Sequence, residues 1–341
     1  MSRKSSRKSR QQRGLKAVSK PVKVAMLPPS PVQRLFAEAL HAQQAGRLDE
    51  AQRLCLELLK LDVKHAEGLH LLGLVLYQQG RPEVAINMLQ RAITANGKVA
   101  AYYSNLGNAL HDAGRHEEAL AAYDRAIALQ HSEPNFHYNR ANTLRDLRRL
   151  GEAGEAYEYA LKLKPDFAEA HCNLGGVLRN CGLLQEAETH LRTGLRIKPD
   201  YSDASNNLAV TLQDMGRLGE SMECFRRAVR LNPDNYDMQY NKAMAHLLAG
   251  EFEKGWIQQE CRWKIRTAPR QMRKPQWFGE RLSGERVLLH HECGLGDTIQ
   301  FLRYVPQMTA RGAAVVMDVP RALARLARML PGVEEVSITG E

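Results

Sequence analysis

Two sets of side chains in this sequence are spaced for chemistry. Asparagine recurs at 34-residue intervals, at Asn105, Asn139, Asn173, Asn207 and Asn241, and each carboxamide both donates and accepts hydrogen bonds. A stacked row of such groups can pair with the N–H and C=O groups of an extended polypeptide without reading its side chains. Five bonds at a net ~1 kcal/mol each supply about 5 kcal/mol, whereas micromolar affinity needs about 8 kcal/mol, so the row alone gives weak, sequence-tolerant capture. The second set is the turn Gly294, Leu295, Gly296, Asp297. Its two glycines permit a tight strand-to-helix connection, and the amides that open the next helix suit an anionic group such as a phosphate. Asp297 has two roles open to it: an N-cap on that helix, contributing about 1 kcal/mol, or a general base at the edge of a ligand crevice. His290, His291 and Cys293 lie close together but lack a fourth metal ligand at a suitable spacing, so no metal site is expected.

The elements that position the asparagines show the same period. Divided into units of 34 positions, the chain places a small residue at the eighth (Ala39, Gly73, Gly107, Ala141, Gly175, Ala209, Ala243), where two helices press together. The fifteenth reads Gly46, Gly80, Gly114, Arg148, Gly182, Gly216, Gly250, a left-handed residue that ends the first helix of each pair. Alanine dominates the twentieth, and Pro165, Pro199 and Pro233 close three of the units. The expectation is an all-α superhelical solenoid of seven repeats over residues 32–269, in which each amphipathic pair buries its apolar stripe against its neighbours.

Beyond that point the periodicity changes. Trp256, Trp263 and Trp277 fall in one short junction, which predicts a packed elbow, and residues 270–284 read as a linker. Residues 286–291 and 313–319 are short apolar strands, 298–312 a helix tolerating or shortened by Pro306, 320–330 a second helix, and 333–340 a third strand. Alternating strand and helix from residue 285 to 341 predicts the opening of a doubly wound, Rossmann-like parallel sheet that is incomplete.

Composition bounds the function more loosely. The formal net charge is +10, yet residues 1–31 hold Arg3, Lys4, Arg7, Lys8, Arg10, Arg13, Lys16, Lys20 and Lys23 and no acid, leaving the remainder near neutral. That tail reads as disordered and suited at most to weak polyanion binding. With no secretory core and no long apolar run, a cytoplasmic protein without a transmembrane segment is expected; its six cysteines lack CxxC pairs and read as reduced thiols.

The repeat pattern, clearest in the unit from Ala100 to Glu133, resembles the tetratricopeptide repeat (TPR). The resemblance implies protein or peptide partners in a concave groove, and the asparagine row is similar to the ladder of TPR-containing protein O-linked N-acetylglucosamine transferases. Residues 250–264 and 275–319 resemble bacterial TPR glycosyltransferases, whose enzyme half is heptosyltransferase-like, with two facing Rossmann-like domains of the GT-B type. On that resemblance the family's GD motif falls on Gly296 and Asp297, with Asp297 as base toward an acceptor hydroxyl. The absence of a D-x-D triplet agrees with metal-independent transfer. The likeness stops within the first Rossmann-like domain, so a nucleotide-sugar donor is expected only in a longer form, no tightly bound cofactor is expected here, and a non-catalytic TPR scaffold is the alternative.

Overall fold

The computed structural model describes residues 29–265, 277, 279–291 and 294–339. The expected basic tail up to residue 28, Cys293 and much of the expected linker lie outside the described residues. The chain divides into two compact units, Met1–Cys181 and Gly182–Glu341.

Among the described residues the regular structure of the first unit is all helical: α1 (Pro31–Gln44), α2 (Leu48–Leu61), α3 (Ala66–Gln78), α4 (Pro82–Ala95), α5 (Ala100–Asp112), α6 (His116–Leu129), α7 (Pro134–Asp146), α8 (Leu150–Leu163) and α9 (Ala168–Asn180). A capping box starts it, with Gln33 N–H donating to Ser30 Oγ at 3.2 Å and Ser30 N–H to Gln33 Oε1 at 2.9 Å. The first helix of a pair is buried on two sides, as in α3, which hides Leu69, Leu71, Leu72, Val75 and Leu76. The second buries one stripe, Ala85, Ile86, Leu89 and Ala92 in α4, because only one face meets neighbours. Turns between paired helices pass through the left-handed region, with φ from +73° at Gly46 to +80° at Gly182. Arg148 adopts it at +61°, the only non-glycine to do so among the described residues, at a cost of roughly 1 kcal/mol.

The second unit continues with α10 (Leu184–Ile197), α11 (Ser202–Asp214), α12 (Leu218–Leu231), α13 (Tyr236–Leu248) and α14 (Phe252–Gln259), then a 3-10 turn. Gly255 has a packing reason: a Cβ there would lie 2.4 Å from a Leu247 methyl, so only glycine lets α14 approach α13 this closely. The expected tryptophan elbow does not form as one cluster. Trp256 is 51% exposed, Trp263 donates to Glu260 Oε2 at 2.9 Å, and Trp277 packs against the core of the sheet described next.

That sheet comprises β1 (Arg286–His290), β2 (Ala314–Val319) and β3 (Val333–Ile338), parallel and in the order β1-β2-β3. The connections are α15 (Leu295–Leu302), α16 (Val305–Ala310) and α17 (Arg321–Arg328). The single helix expected over 298–312 is two, broken at Arg303 and Tyr304, with Pro306 in the first turn of α16 where its missing amide forfeits no bond. Val315, Met317 and Val319 of β2 share one core with Leu302, Val305, Met308, Leu323, Ala324 and Ala327, so all three helices cover the same face. Strands added in sequential order keep same-handed crossovers on one side, as they do in each half of a doubly wound sheet, and Leu288, on the other face, is 45% exposed. Among the described residues no helix is long and apolar enough to cross a membrane.

Candidate functional site

Each of Asn105, Asn139 and Asn173 sits half-buried on a stripe shared by α3, α5, α7 and α9, successive first helices that touch one another. Their spacing has a structural cause. Asn139 Nδ2 donates to Asn108 Oδ1 of the preceding repeat at 3.0 Å, and Asn173 Nδ2 donates to Asn142 Oδ1 at 2.9 Å and to Tyr138 Oη at 3.1 Å. Asn105 Nδ2 lies 2.8 Å from His70 Nε2. In the second unit Asn241 Nδ2 reaches Asn206 Oδ1 at 3.2 Å, and Asn207 is also partnered. The acceptors are themselves held: Tyr123 Oη donates to Asn108 Oδ1 at 2.8 Å and Tyr157 Oη to Asn142 Oδ1 at 2.5 Å. Burial raises both phenols well above their ordinary pKa, so they remain donors.

His70 completes this pattern as an acceptor. Burial lowers its pKa to about 4 against the opposing pull of Glu67, so at neutral pH the ring is uncharged and its Nε2 can accept from Asn105. A second line of bonds runs along the far end of the stripe, from Gln43 to Gln78 at 3.2 Å and from His111 Nε2 to Asp146 Oδ2 at 2.9 Å, with Tyr77 donating to Asp112 between them. Burial opposes ionisation of Asp146, but hydrogen bonds from His111 and Arg145 outweigh it and hold the carboxyl below its usual range.

The consequence is that the donors expected to face a ligand are turned sideways. Each carboxamide spends an N–H on its neighbour, which fixes the amide plane and leaves Oδ1 of Asn105, Asn139 and Asn173 without an intramolecular donor among the described residues. The stripe is a row of oriented carboxamides, whose Oδ1 atoms accept and whose second N–H, at Asn105 and Asn139, can still donate. Asn108, Asn142, Tyr123 and Tyr157 were the residues sequence reasoning passed over, although each pair shares the same 34-residue interval.

A separate cleft of about 370 Å³ opens at the carboxyl edge of the sheet, lined by Leu289, His291, Asp297, Thr298, Phe301 and Met317 among others. His291 Nδ1 is 2.6 Å from Thr298 Oγ1, which fixes one polar corner. Asp297 is not the N-cap. Gly294 holds that place with φ −66° and ψ 161°, no side chain caps the helix, and Asp297 is its third residue, exposed at the cleft mouth. A carboxylate there still gains from the positive end of the helix. Neither Gly294 nor Gly296 adopts a positive φ, and a Cβ at Gly296 would meet open space, so the backbone does not itself require glycine at either position.

A family model described as "Tetratricopeptide repeat" matches residues 36–86, 70–134, 138–202 and 206–255. No curated protein matches the chain. Among solved structures, the MamA protein is 26% identical over 49% of this chain and 92% of its own, with a TM-score of 0.46. PilF of Pseudomonas aeruginosa is 16% identical over 62% and 97%, with a TM-score of 0.56. The Cut9 and Hcn1 hetero-tetramer of the APC/C gives 16%, 63%, 42% and 0.55 for the same measures. The latter two likenesses are of fold.

Proposed function

Because the chain belongs to the tetratricopeptide-repeat family, a family of protein-interaction modules, we propose that its first unit binds an extended polypeptide along the asparagine stripe. The observation that carries this reading is the fixed orientation of Asn105, Asn139 and Asn173, whose Oδ1 atoms accept backbone N–H groups of the guest. Asn207 and Asn241 supply equivalent carboxamides in the second unit. Preorganised acceptors cost the complex little side-chain entropy, which is how a short row of bonds contributes to binding at all.

The test uses unstructured peptides selected by display on the wild-type protein. Asn139→Ala combined with Asn173→Ala should weaken their binding by about 1–3 kcal/mol, roughly five- to 150-fold. Tyr123→Phe removes the bond from α6 to Asn108 within one repeat but keeps the bond from Asn139 to Asn108, so it should lower stability by about 1 kcal/mol and leave affinity nearly unchanged. Equal affinity of the double variant and wild type would remove the stripe from the binding surface.

A second reading is favoured by the cleft at the sheet edge: that residues 285–341 open the acceptor-side domain of a glycosyltransferase using a nucleotide-sugar donor, with Asp297 as base. Its support is an exposed carboxylate beside His291 and Thr298 at the strand ends, where open α/β sheets bind ligands. On this reading Asp297→Asn, in a longer form that carries the donor domain, abolishes sugar incorporation into a captured peptide while peptide binding persists. Undiminished incorporation in the variant would exclude Asp297 as the base.

A further inference from the structure

Helix α17 turns Leu323, Ala324 and Ala327 into the sheet core and leaves Arg321, Arg325 and Arg328 exposed on its outer side, one turn apart. Beside them Leu326 and Met329 are 38% and 70% exposed. Arginines of the repeats are typically held by carboxylates, as Arg115 is by Glu118, Arg149 by Glu152 and Arg217 by Glu188 and Glu220. Among the described residues, Arg321, Arg325 and Arg328 have no such partner. Arg321 opens α17, where the helix dipole disfavours a cation, whereas Arg325 and Arg328 stand in its last turn, where the dipole favours one; like charges one turn apart repel. Arg303 and Arg311 end α15 and α16 in the same helical layer, whose one acidic residue among those described is Asp297.

We propose that the outer face of α17 docks onto an anionic membrane surface, its occupant being phospholipid headgroups. Guanidinium groups pair bidentately with phosphate oxygens, and Leu326 and Met329 enter the boundary between headgroups and acyl chains. Charge complementarity selects an anionic partner, and the exposed apolar pair beside the arginines selects lipid over nucleic acid. The outer side of α17 carries no aromatic ring on which a base could stack.

The experiment is co-sedimentation of the full chain with phosphatidylcholine vesicles prepared with and without phosphatidylglycerol. Binding is expected only with phosphatidylglycerol. The triple variant Arg321→Gln, Arg325→Gln, Arg328→Gln should reduce partitioning about a hundredfold, since each basic residue near such a surface contributes about fivefold. The corresponding triple lysine variant should retain most of the binding, and circular dichroism of both variants verifies that the fold is kept. Vesicle binding unchanged in the glutamine triple overturns the proposal and assigns the effect to the basic residues near the N-terminus. Equal binding to vesicles lacking phosphatidylglycerol also overturns it. Binding to duplex DNA that is lost in the glutamine triple, without vesicle binding, replaces lipid by nucleic acid as the occupant.

Discussion

Gly107→Leu is expected to destabilise the first unit by about 3 kcal/mol or more. A Cβ at Gly107 would stand 2.5 Å from Tyr123 Cε1 and within 2.8 Å of two more ring atoms. The ring cannot swing away. Tyr123 is 2% exposed, packed among Leu106, Ala109 and Leu110, and tied at its hydroxyl to Asn108. Alanine should be tolerated far better than leucine, because Ala141 occupies the equivalent place beside the fully buried Tyr157 one repeat later. Urea unfolding of the two variants checks this, and pairing Gly107→Leu with Tyr123→Leu should recover part of the loss if the clash is with the ring. A leucine variant that unfolds at the wild-type midpoint would mean that the α5 and α6 pair does not hold this spacing.

The second large effect is on pH dependence. In the folded chain His70 has a pKa of about 4, below the ordinary 6.5, because burial penalises its charged form. The unfolded chain therefore takes up a proton first as pH falls. The stability that His70 contributes is complete above pH 6.5 and is lost as pH falls from there toward 4, amounting to about 3 kcal/mol. Protonation of the folded chain, near pH 4, also removes the acceptor that orients Asn105, so peptide capture should weaken only as the pH approaches 4. His137, lowered chiefly by burial, adds to the loss in the same direction. Thermal melts of wild type and His70→Gln between pH 7 and pH 4 separate the contribution, since glutamine keeps an acceptor but does not titrate. Parallel melting curves for the two proteins across that range would show that His70 is not the titrating group.

Much of this architecture was legible from residue types alone. The glycines at 46, 80 and 114 announced left-handed turns, and the small residues at 73 and 107 announced close helix contacts, because both are local requirements of backbone and volume. The position of Asp297 was harder to read. Whether a residue caps a helix or lies inside its first turn depends on the dihedral angles of Gly294, which a glycine-rich stretch does not specify. The sheet was readable as strand and helix in alternation, but not as one-sided, since the covered face follows from strand order.

The sequence by itself determined the period of this protein, its helix pairs, its turn residues and the row of asparagines, all of which follow from local propensity and from burial repeating every 34 residues. Only the tertiary structure decided what the asparagines do with their hydrogen bonds. Their partners lie in the preceding repeat, Asn108 for Asn139 and Asn142 for Asn173, and a bond between separate helices exists only once stacking has set the distance between them. That stacking gave a row of donors and acceptors one fixed orientation.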